Sequence, residues 1–360
     1  MAQLIPHTIP VRVFEDHEAR VSAVAVFSDK RCMVTCSDDK MLRLWDLTTG
    51  VMLKKMEGHR ERVQALAVSR DGRFIASGDT NGELIAWDGE TGEPLARTFR
   101  AHTGWILSLD FSPDGEVLAS GSSSDSTTML WSTTPWQPYD GYPIFCGENT
   151  FVRCVRYSPS QSESLLAIAT EHNIQIYYTS HSGTLHDNYY SSSRFRVECQ
   201  RTIHEGYNYS LAWTPDGTRL LSAGGGADPT IREWDKWSTS KQIGDPLKLK
   251  GHFKTIRAIS LNSNGTLLAS ASHDNHVRLW RLSDRRTIAI FRHTGEVHCV
   301  AFSADDKHIL SGGADKKISQ WSASEDALSE GGTKDGLMKE QVTHQAQAYS
   351  DFKACSLLPL

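Results

Sequence analysis

The stretch GHFKTIRAISLNSNGTLLASASHDNHVRLW, from Gly251 to Trp280, contains the pattern that decides the fold. Apolar and polar residues alternate from Ile256 to Leu261, and an Asn264-Gly265 pair separates this run from a second apolar run. Alternation with a period of two predicts strands, and Asn-Gly between two such runs predicts a tight hairpin turn. The stretch therefore predicts three short antiparallel strands that end at Trp280. A single small sheet cannot bury both of its faces, so it requires neighbouring sheets.

The same frame recurs along the whole chain. Each unit closes on an aromatic residue, and the intervals between these residues are 41 to 57 positions. The closing residues are Trp45, Trp87, Trp131, Tyr177, Trp234, Trp280 and Trp321. Six units open on a histidine, whereas the fourth has Glu148 at that position. A repeat of this length indicates an architecture in which each unit buries its apolar surface against the next.

The units resemble those of the WD-repeat family, which open on Gly-His and close on Trp-Asp. The closing dipeptide is present at Trp45-Asp46, Trp87-Asp88 and Trp234-Asp235. The resemblance implies an all-β fold, a seven-bladed β-propeller of four-stranded antiparallel blades over residues 1–322. Residues 323–360 are polar and are expected to form a disordered tail.

An additional strand is predicted before the first histidine, where residues 8–14 read TIPVRVF. The chain turns polar after Trp321, which leaves the last blade without an outer strand. We expect the N-terminal strand to pair with that blade and close the ring, because closure removes an exposed sheet edge. In the fourth unit, the polar residues at about 179–193 predict a long exposed loop before an outer strand near Phe195.

The resemblance also implies a buried hydrogen-bonded chain in each blade, from Trp to a hydroxyl to His to Asp. The sets with the expected spacing are His17, Thr35, Asp39 and Trp45; His252, Ser270, Asp274 and Trp280; and His293, Ser311, Asp315 and Trp321. Two further sets, with longer turns, are His102, Ser120, Asp125 and Trp131, and His204, Ser222, Asp228 and Trp234. In the second unit Asn81 stands at the Asp position, so we expect a weaker network there.

Ser, His and Asp together also suggest a hydrolase triad. The trio recurs in most units, however, whereas a catalytic triad is needed only once. A fully linked buried network stabilises a fold, so we interpret these residues as structural.

Composition and motifs exclude several other classes. The formal net charge of −5 gives no basic field for direct nucleic acid or membrane binding. The sequence lacks a phosphate-binding loop, HExxH, GxSxG and a Cys/His cluster with zinc spacing, so we predict no enzymatic activity, no cofactor and no metal. Seven scattered cysteines and a start without a signal-peptide pattern favour the cytoplasm, with the nucleus as an alternative.

The function predicted from the resemblance is a non-catalytic scaffold for other proteins or peptides, a monomeric propeller within a larger complex. One alternative is a substrate receptor of a cullin-type ubiquitin ligase, although the Trp-Asp-x-Arg signature of such receptors is absent. A second alternative is a propeller enzyme, which requires one asymmetric polar cluster at the central channel.

WD-repeat partners often contact three positions per blade: three and five residues after the histidine, and one before the aspartate. Carried onto this chain, these positions predict a partner-binding face that includes Arg20, Arg62, Trp105, Leu107, Phe151, Arg153, Tyr207, Tyr209, Arg257, His273 and His298. Its apolar members fall in units three to five, with arginines beside them. Aromatic residues and arginines are typical of interface hot spots, and this set favours a partner that is acidic around an apolar centre.

Overall fold

The structure is a computed structural model that describes residues 7–29, 31–95, 99–139, 143–160, 164–181, 195–203, 207–225, 229–235 and 249–323. The predicted tail beyond residue 323 and residues 182–193 of the predicted loop lie outside the described residues. Throughout the described ranges the chain consists of strands, turns and loops. In the same ranges no helix is long and apolar enough to cross a membrane.

The strands form seven antiparallel sheets, which we call blades one to seven. From the central channel outward, blade one contains β2 (Val21–Val26), β3 (Cys32–Ser37), β4 (Leu42–Asp46) and β5 (Met52–Met56). Blade two contains β6 (Val63–Val68), β7 (Phe74–Asp79), β8 (Glu83–Asp88) and β9 (Phe99–Arg100). Blade three contains β10 (Ile106–Phe111), β11 (Val117–Ser122), β12 (Thr127–Thr133) and β13 (Trp136–Pro138), with β14 (Ile144–Phe145) also paired to β12.

Blade four contains β15 (Val152–Tyr157), β16 (Leu165–Thr170), β17 (Ile174–His181) and β18 (Phe195–Ile203). Blade five contains β19 (Asn208–Trp213), β20 (Arg219–Gly224) and β21 (Ile231–Asp235). Blade six contains β22 (Ile256–Leu261), β23 (Leu267–Ser272), β24 (His276–Arg281) and β25 (Arg286–Arg292). Blade seven contains β26 (Val297–Phe302), β27 (His308–Gly313), β28 (Lys317–Ser322) and, at its outer edge, β1 (Arg12–Glu15).

The seven innermost strands form a closed ring around the channel. Each of β2, β6, β10, β15, β19, β22 and β26 contacts the next in this order, and β26 contacts β2. The all-β, seven-bladed propeller predicted from the repeats is therefore confirmed. Blade three has a fifth strand, β14, and the described part of blade five has three strands.

Closure by the N-terminal strand is also confirmed. Strand β1 pairs antiparallel with β28, from Arg12 opposite Gln320 to Glu15 opposite Lys317. Phe14 in β1 is only 1% exposed, and its ring lies edge-on to Trp45 of blade one at 5.5 Å. The closing strand thus fills both a sheet edge and an apolar gap between blades seven and one.

The apolar core lies between the blades. One buried cluster joins each adjacent pair of blades in the described residues, for example Phe14, Val21, Met33, Trp45 and Leu310 between blades seven and one. Burial of apolar surface at these contacts is the main stabilising contribution to the ring. A Cβ atom on Gly78 would lie 2.5 Å from the side chain of Ile106, so glycine is required for blades two and three to approach.

Three boundaries differ from the sequence-based prediction. Strand β1 covers Arg12–Glu15, so residues 8–11 of the predicted N-terminal strand lie outside it. Strand β17 continues to His181, so residues 179–181 belong to a strand rather than to the predicted loop. Ala323, the first residue of the predicted tail, is buried and donates its backbone N–H to the carbonyl of Lys307 at 2.8 Å. Blade seven therefore extends at least one residue further than predicted.

Candidate partner-binding face

The buried polar network of blade six follows the expected order. The indole N–H of Trp280 donates to Ser270 Oγ at 2.8 Å, Ser270 Oγ lies 2.8 Å from His252 Nε2, and His252 Nδ1 lies 2.7 Å from Asp274 Oδ2. This order assigns the imidazole proton to Nδ1, with Ser270 donating to Nε2. Burial lowers the pKa of His252, which keeps the ring neutral. Burial alone would raise the pKa of Asp274, but the hydrogen bond from His252 lowers it overall.

The same arrangement occurs in three further blades. His17 contacts Thr35 and Asp39 at 2.9 and 2.8 Å, His102 contacts Ser120 and Asp125 at 2.7 and 2.9 Å, and His293 contacts Ser311 and Asp315 at 2.8 and 2.7 Å. Trp45, Trp131 and Trp321 each donate to the hydroxyl of their set at 2.9 Å. In blade five Trp234 donates to Ser222 at 2.9 Å, whereas His204 and Asp228 lie outside the described residues.

The second blade corrects the sequence-based interpretation. His59 pairs with Asp79 at 3.0 Å and with Ser77 at 2.7 Å, and Trp87 donates to Ser77 at 2.8 Å. Asn81 is exposed and is not the partner of His59. The missing carboxylate is supplied two residues earlier, from the end of β7, so this network is complete. At least five blades contain the network, and its repetition identifies it as structural.

A bulge occurs at the same position in the innermost strand of every blade. The register of each strand shifts between its first and third residues, which leaves the second residue unpaired. Bulges re-aim side chains, and they are frequent next to functional sites. The unpaired residues are Ser22, Gln64, Leu107, Arg153, Tyr209, Arg257 and His298, and all of them line the central channel. These are the residues five positions after the opening residue of each unit.

The bulges lie near one edge of the ring. We call this edge the candidate face. It is formed by the loops before the innermost strands and by the turns after the second strands, because antiparallel neighbours place these connections at the same edge. Every predicted partner-binding residue lies in one of these loops or turns, or at the start of an innermost strand.

Cations and aromatic rings alternate around one side of the channel mouth. The guanidinium carbon of Arg153 lies 4.8 Å from the ring centre of Phe151 and 5.0 Å from that of Tyr209. The guanidinium of Arg257 lies 4.8 Å from Tyr209, so this ring contacts both arginines. Such contacts are cation–π interactions.

The two arginines differ in their charge partners. Arg153 forms an ion pair with Glu171, whereas Arg257 has no carboxylate partner among the described residues. Burial lowers the pKa of Arg257 to about 10, with Arg153 and Arg20 acting in the same direction. Its Nε atom is buried without a hydrogen-bond partner in the described part of the chain.

On the opposite side of the channel mouth, the charge of Arg20 is neutralised by a carboxylate of the same protein. Arg20 pairs with Asp38 at 3.1 Å and donates to the side-chain oxygen of Gln64 at 3.1 Å. Gln64 in turn donates to Asp38 at 2.6 Å. This network joins blades one and two and leaves Arg20 with a compensated charge.

Large aromatic side chains are exposed on three successive blades of the candidate face. Trp105 of blade three is 52% exposed, Phe151 of blade four 38%, and Tyr207 of blade five 58%. Leu107 and Tyr209 are half-buried in the channel wall beside them, and Arg62 is exposed on blade two. His273 and His298 lie next to each other, with ring centres 5.0 Å apart.

An exposed aromatic residue at this edge lies outside the predicted partner-binding face. Phe253 follows the opening histidine of blade six and is 69% exposed, while its N–H donates to Asp274 at 3.3 Å. It falls outside the three positions carried over from the WD-repeat pattern. The alternation of apolar and polar residues carries no signal for it, because it lies in a loop before the strand.

The closed ring of seven blades and the recurring buried network define the class of this protein, a β-propeller of repeated units. The sequence model of the family described as WD domain, G-beta repeat matches residues 8–46, 50–88, 93–132, 198–235, 245–281 and 285–322. The chain belongs to this family. The matched ranges leave out the first three strands of blade four, whose opening histidine is replaced by Glu148.

Several curated proteins are similar to this chain. Nuclear distribution protein PAC1 of Arthroderma benhamiae is 24% identical over 354 residues, which cover 90% of this chain and 63% of that protein. The guanine nucleotide-binding protein subunit beta of Oryza sativa subsp. japonica is 26% identical over 226 residues, covering 61% and 56%. The U3 small nucleolar RNA-associated protein 15 homolog of Xenopus tropicalis is 25% identical over 217 residues, covering 60% and 37%. The chain thus spans less than two thirds of the length of these relatives.

Proposed function

We propose that this protein is a non-catalytic scaffold that binds partner proteins or peptides on the candidate face. The observation that carries the proposal is the exposure of Trp105, Phe151 and Tyr207 on three successive blades. Aromatic anchors of this kind contribute most of the binding free energy at many protein interfaces. Propellers of the WD-repeat family generally bind other proteins, which supports the same role.

The charges around the mouth indicate the chemistry of the partner. Arg257 has no ion-pair partner in the described residues, and Arg62 is exposed on blade two, which neighbours blade three. A carboxylate of a partner that reached Arg257 would satisfy a half-buried cation, and hydrogen bonds to charged groups are stronger than neutral ones. The proposed partner therefore presents an apolar centre flanked by Asp or Glu.

The setting of this function is part of the same proposal. We place the propeller in the cytoplasm or nucleus as a monomer within a larger complex, without direct contact to nucleic acid or membrane. The role of substrate receptor in a cullin-type ubiquitin ligase stays a prediction. A propeller enzyme is disfavoured, because the Ser, His and Asp trios are buried structural networks that recur in several blades.

Affinity purification with mass spectrometry tests the proposal. The tagged chain is compared with the double variant Trp105→Ala/Tyr207→Ala and with a control, Val51→Ala/Leu53→Ala, in which both apolar side chains are exposed near the outer edge of blade one. We expect the first variant to lose the partners and the control to retain them, while both melt like the wild type. Capture that survives the first double change would place the interface on another surface.

A further inference from the structure

A second group of side chains on the candidate face takes no part in the aromatic and arginine contacts described above, although two of its members belong to the predicted partner-binding face. His273 lies in the turn after β23 of blade six, and Glu296 and His298 lie at the start of β26 of blade seven. Their ligand atoms all lie within 4.8 Å of one another. The two imidazole rings have centres 5.0 Å apart and are tilted by 58°. Two imidazoles and one carboxylate therefore converge from two different blades.

Backbone contacts hold each of the three residues in place. The N–H of His273 donates to the carbonyl of Thr255 at 3.0 Å, and the carbonyl of Glu296 accepts from Ala314 at 2.8 Å. His298 is the bulge residue of β26, unpaired between Val297 and Cys299, so its side chain is turned into the channel mouth. The convergence is thus a result of the blade geometry.

The donor atoms of the three side chains are not used elsewhere in the described structure. His273 Nε2 is buried without a hydrogen-bond partner among the described residues. A buried polar atom of this kind is rare in folded proteins, and an absent ion is one of its ordinary explanations. No other described residue forms a side-chain hydrogen bond or an ion pair with Glu296 or His298.

We propose that His273, Glu296 and His298 form a binding site for a single divalent transition-metal ion, with Zn²⁺ as the best fit. Two imidazoles and one carboxylate with a fourth position open is an established zinc ligand set. Bond lengths of about 2.0–2.1 Å require neighbouring donors to lie about 3.3 Å apart. Side-chain rotations that bring the donor atoms together by up to about 1.5 Å reach this separation.

The surrounding charges narrow the choice of ion. Arg257 forms no ion pair among the described residues and lines the channel together with His298, so its charge opposes any cation at this site. An ion held mainly by electrostatic attraction, such as Mg²⁺ or Ca²⁺, prefers several oxygen ligands and is disfavoured here. Imidazole ligands suit Zn²⁺, Ni²⁺ and Cu²⁺, because the affinity of these ions depends more on the metal–ligand bond than on electrostatic attraction. The fourth position faces the channel mouth and is accessible to water or to a side chain of a partner.

Sequence spacing carries no signal for this site. His273 is separated from Glu296 and His298 by more than twenty residues, and the three come from two different repeats. The sequence-based prediction of no metal depended on contiguous zinc spacings, which cannot detect ligands that two blades contribute jointly.

The test uses the full chain, stripped with a chelator and titrated with zinc chloride by isothermal calorimetry. We expect one tight ion per chain, a rise in melting temperature with zinc, and no such rise with Mg²⁺ or Ca²⁺. Replacement of Zn²⁺ by Co²⁺ should give the visible absorption of a tetrahedral centre. His273→Ala and His298→Ala should each weaken zinc binding by at least about tenfold.

Two further variants make the test decisive. His172→Ala is the control, since His172 is exposed and lies in the turn between β16 and β17 of blade four, and it should bind zinc like the wild type. Glu296→Gln keeps the side-chain shape and tests the charge, and it should also weaken binding even if an alanine variant misfolds. Absence of saturable binding at one ion per chain would overturn the site, as would undiminished affinity in Glu296→Gln and in His273→Ala/His298→Ala.

Discussion

His59 Nδ1 lies 3.0 Å from a carboxylate oxygen of Asp79, and neither side chain is exposed to solvent. The other oxygen of Asp79 accepts the backbone N–H groups of Asn81 and Glu83, both at 2.9 Å. One carboxylate thus anchors both the loop before blade two and the turn after β7. Removal of this carboxylate would leave several buried donors without an acceptor.

The first prediction concerns this pair. Asp79→Ala should lower the free energy of unfolding by about 1–3 kcal/mol, because the buried imidazole N–H loses its acceptor. Asn81→Ala is the matched control, two residues away and exposed, and should change the same quantity by less than about 0.5 kcal/mol. Urea denaturation of both variants measures the difference. Equal effects of the two changes would show that the carboxylate of Asp79 is not the anchor.

The second prediction concerns ring closure. Phe14 is 1% exposed and Val13, its neighbour in β1, is 39% exposed. Phe14→Ala should therefore cost about 3–5 kcal/mol, whereas Val13→Ala should cost less than about 1 kcal/mol. Thermal melts followed by circular dichroism give the comparison. A Phe14→Ala protein that melts with the wild type would show that β1 is dispensable for closure.

The third prediction separates two arginines that contact the same tyrosine. Arg257→Met should leave stability unchanged or raise it by about 1 kcal/mol, since a half-buried charge without an ion-pair partner is removed while an unbranched apolar side chain is kept. Arg153→Met should lower stability by about 1 kcal/mol, because Glu171 loses its ion-pair partner. Denaturation midpoints in urea report both. If Arg257→Met were as destabilising as Arg153→Met, Arg257 would have a counter-ion in the folded protein.

The fourth prediction concerns pH. Burial raises the pKa of Asp110 in β10 to about 6, although Arg156 and the N–H of Tyr157, at 2.7 Å, oppose the shift. The folded pKa exceeds the unfolded value of about 3.9, so the folded state binds the proton more tightly. The contribution of Asp110 to stability is therefore fully present below about pH 4 and is lost as the pH rises through about 6.

Asp110→Asn keeps the shape of the side chain without the titration. The unfolding free energy of the variant minus that of the wild type should be about 1 kcal/mol larger at pH 7.5 than at pH 5. The unfolding free energies of both proteins are measured at both pH values. The effects of the other titrating groups are common to the two proteins and cancel when one value is subtracted from the other. A stability difference that does not change with pH would contradict the raised pKa.

The ring could be predicted from the sequence because each repeat carries the same strands, turns and closing aromatic residue. The partner of His59 could not, since Asp79 comes from the end of a strand, whereas the other blades take their aspartate from the following turn. The convergence of His273 with Glu296 and His298 depends on the bulge in β26 and on contact between two blades. A period-two pattern encodes neither, so only the folded structure brings these side chains together.

The pairing of β1 with β28 has a consequence for the synthesis of the chain. Roughly 300 residues separate the two strands, and translation adds about 5–20 residues per second. Strand β1 therefore remains without its partner for about 15–60 s on each ribosome. During that interval Phe14 and the unpaired backbone of β1 are accessible to other nascent chains, including copies on the same messenger RNA. Faster elongation should shorten this exposure and raise the yield of soluble protein, and a chaperone that covers residues 11–15 should have the same effect.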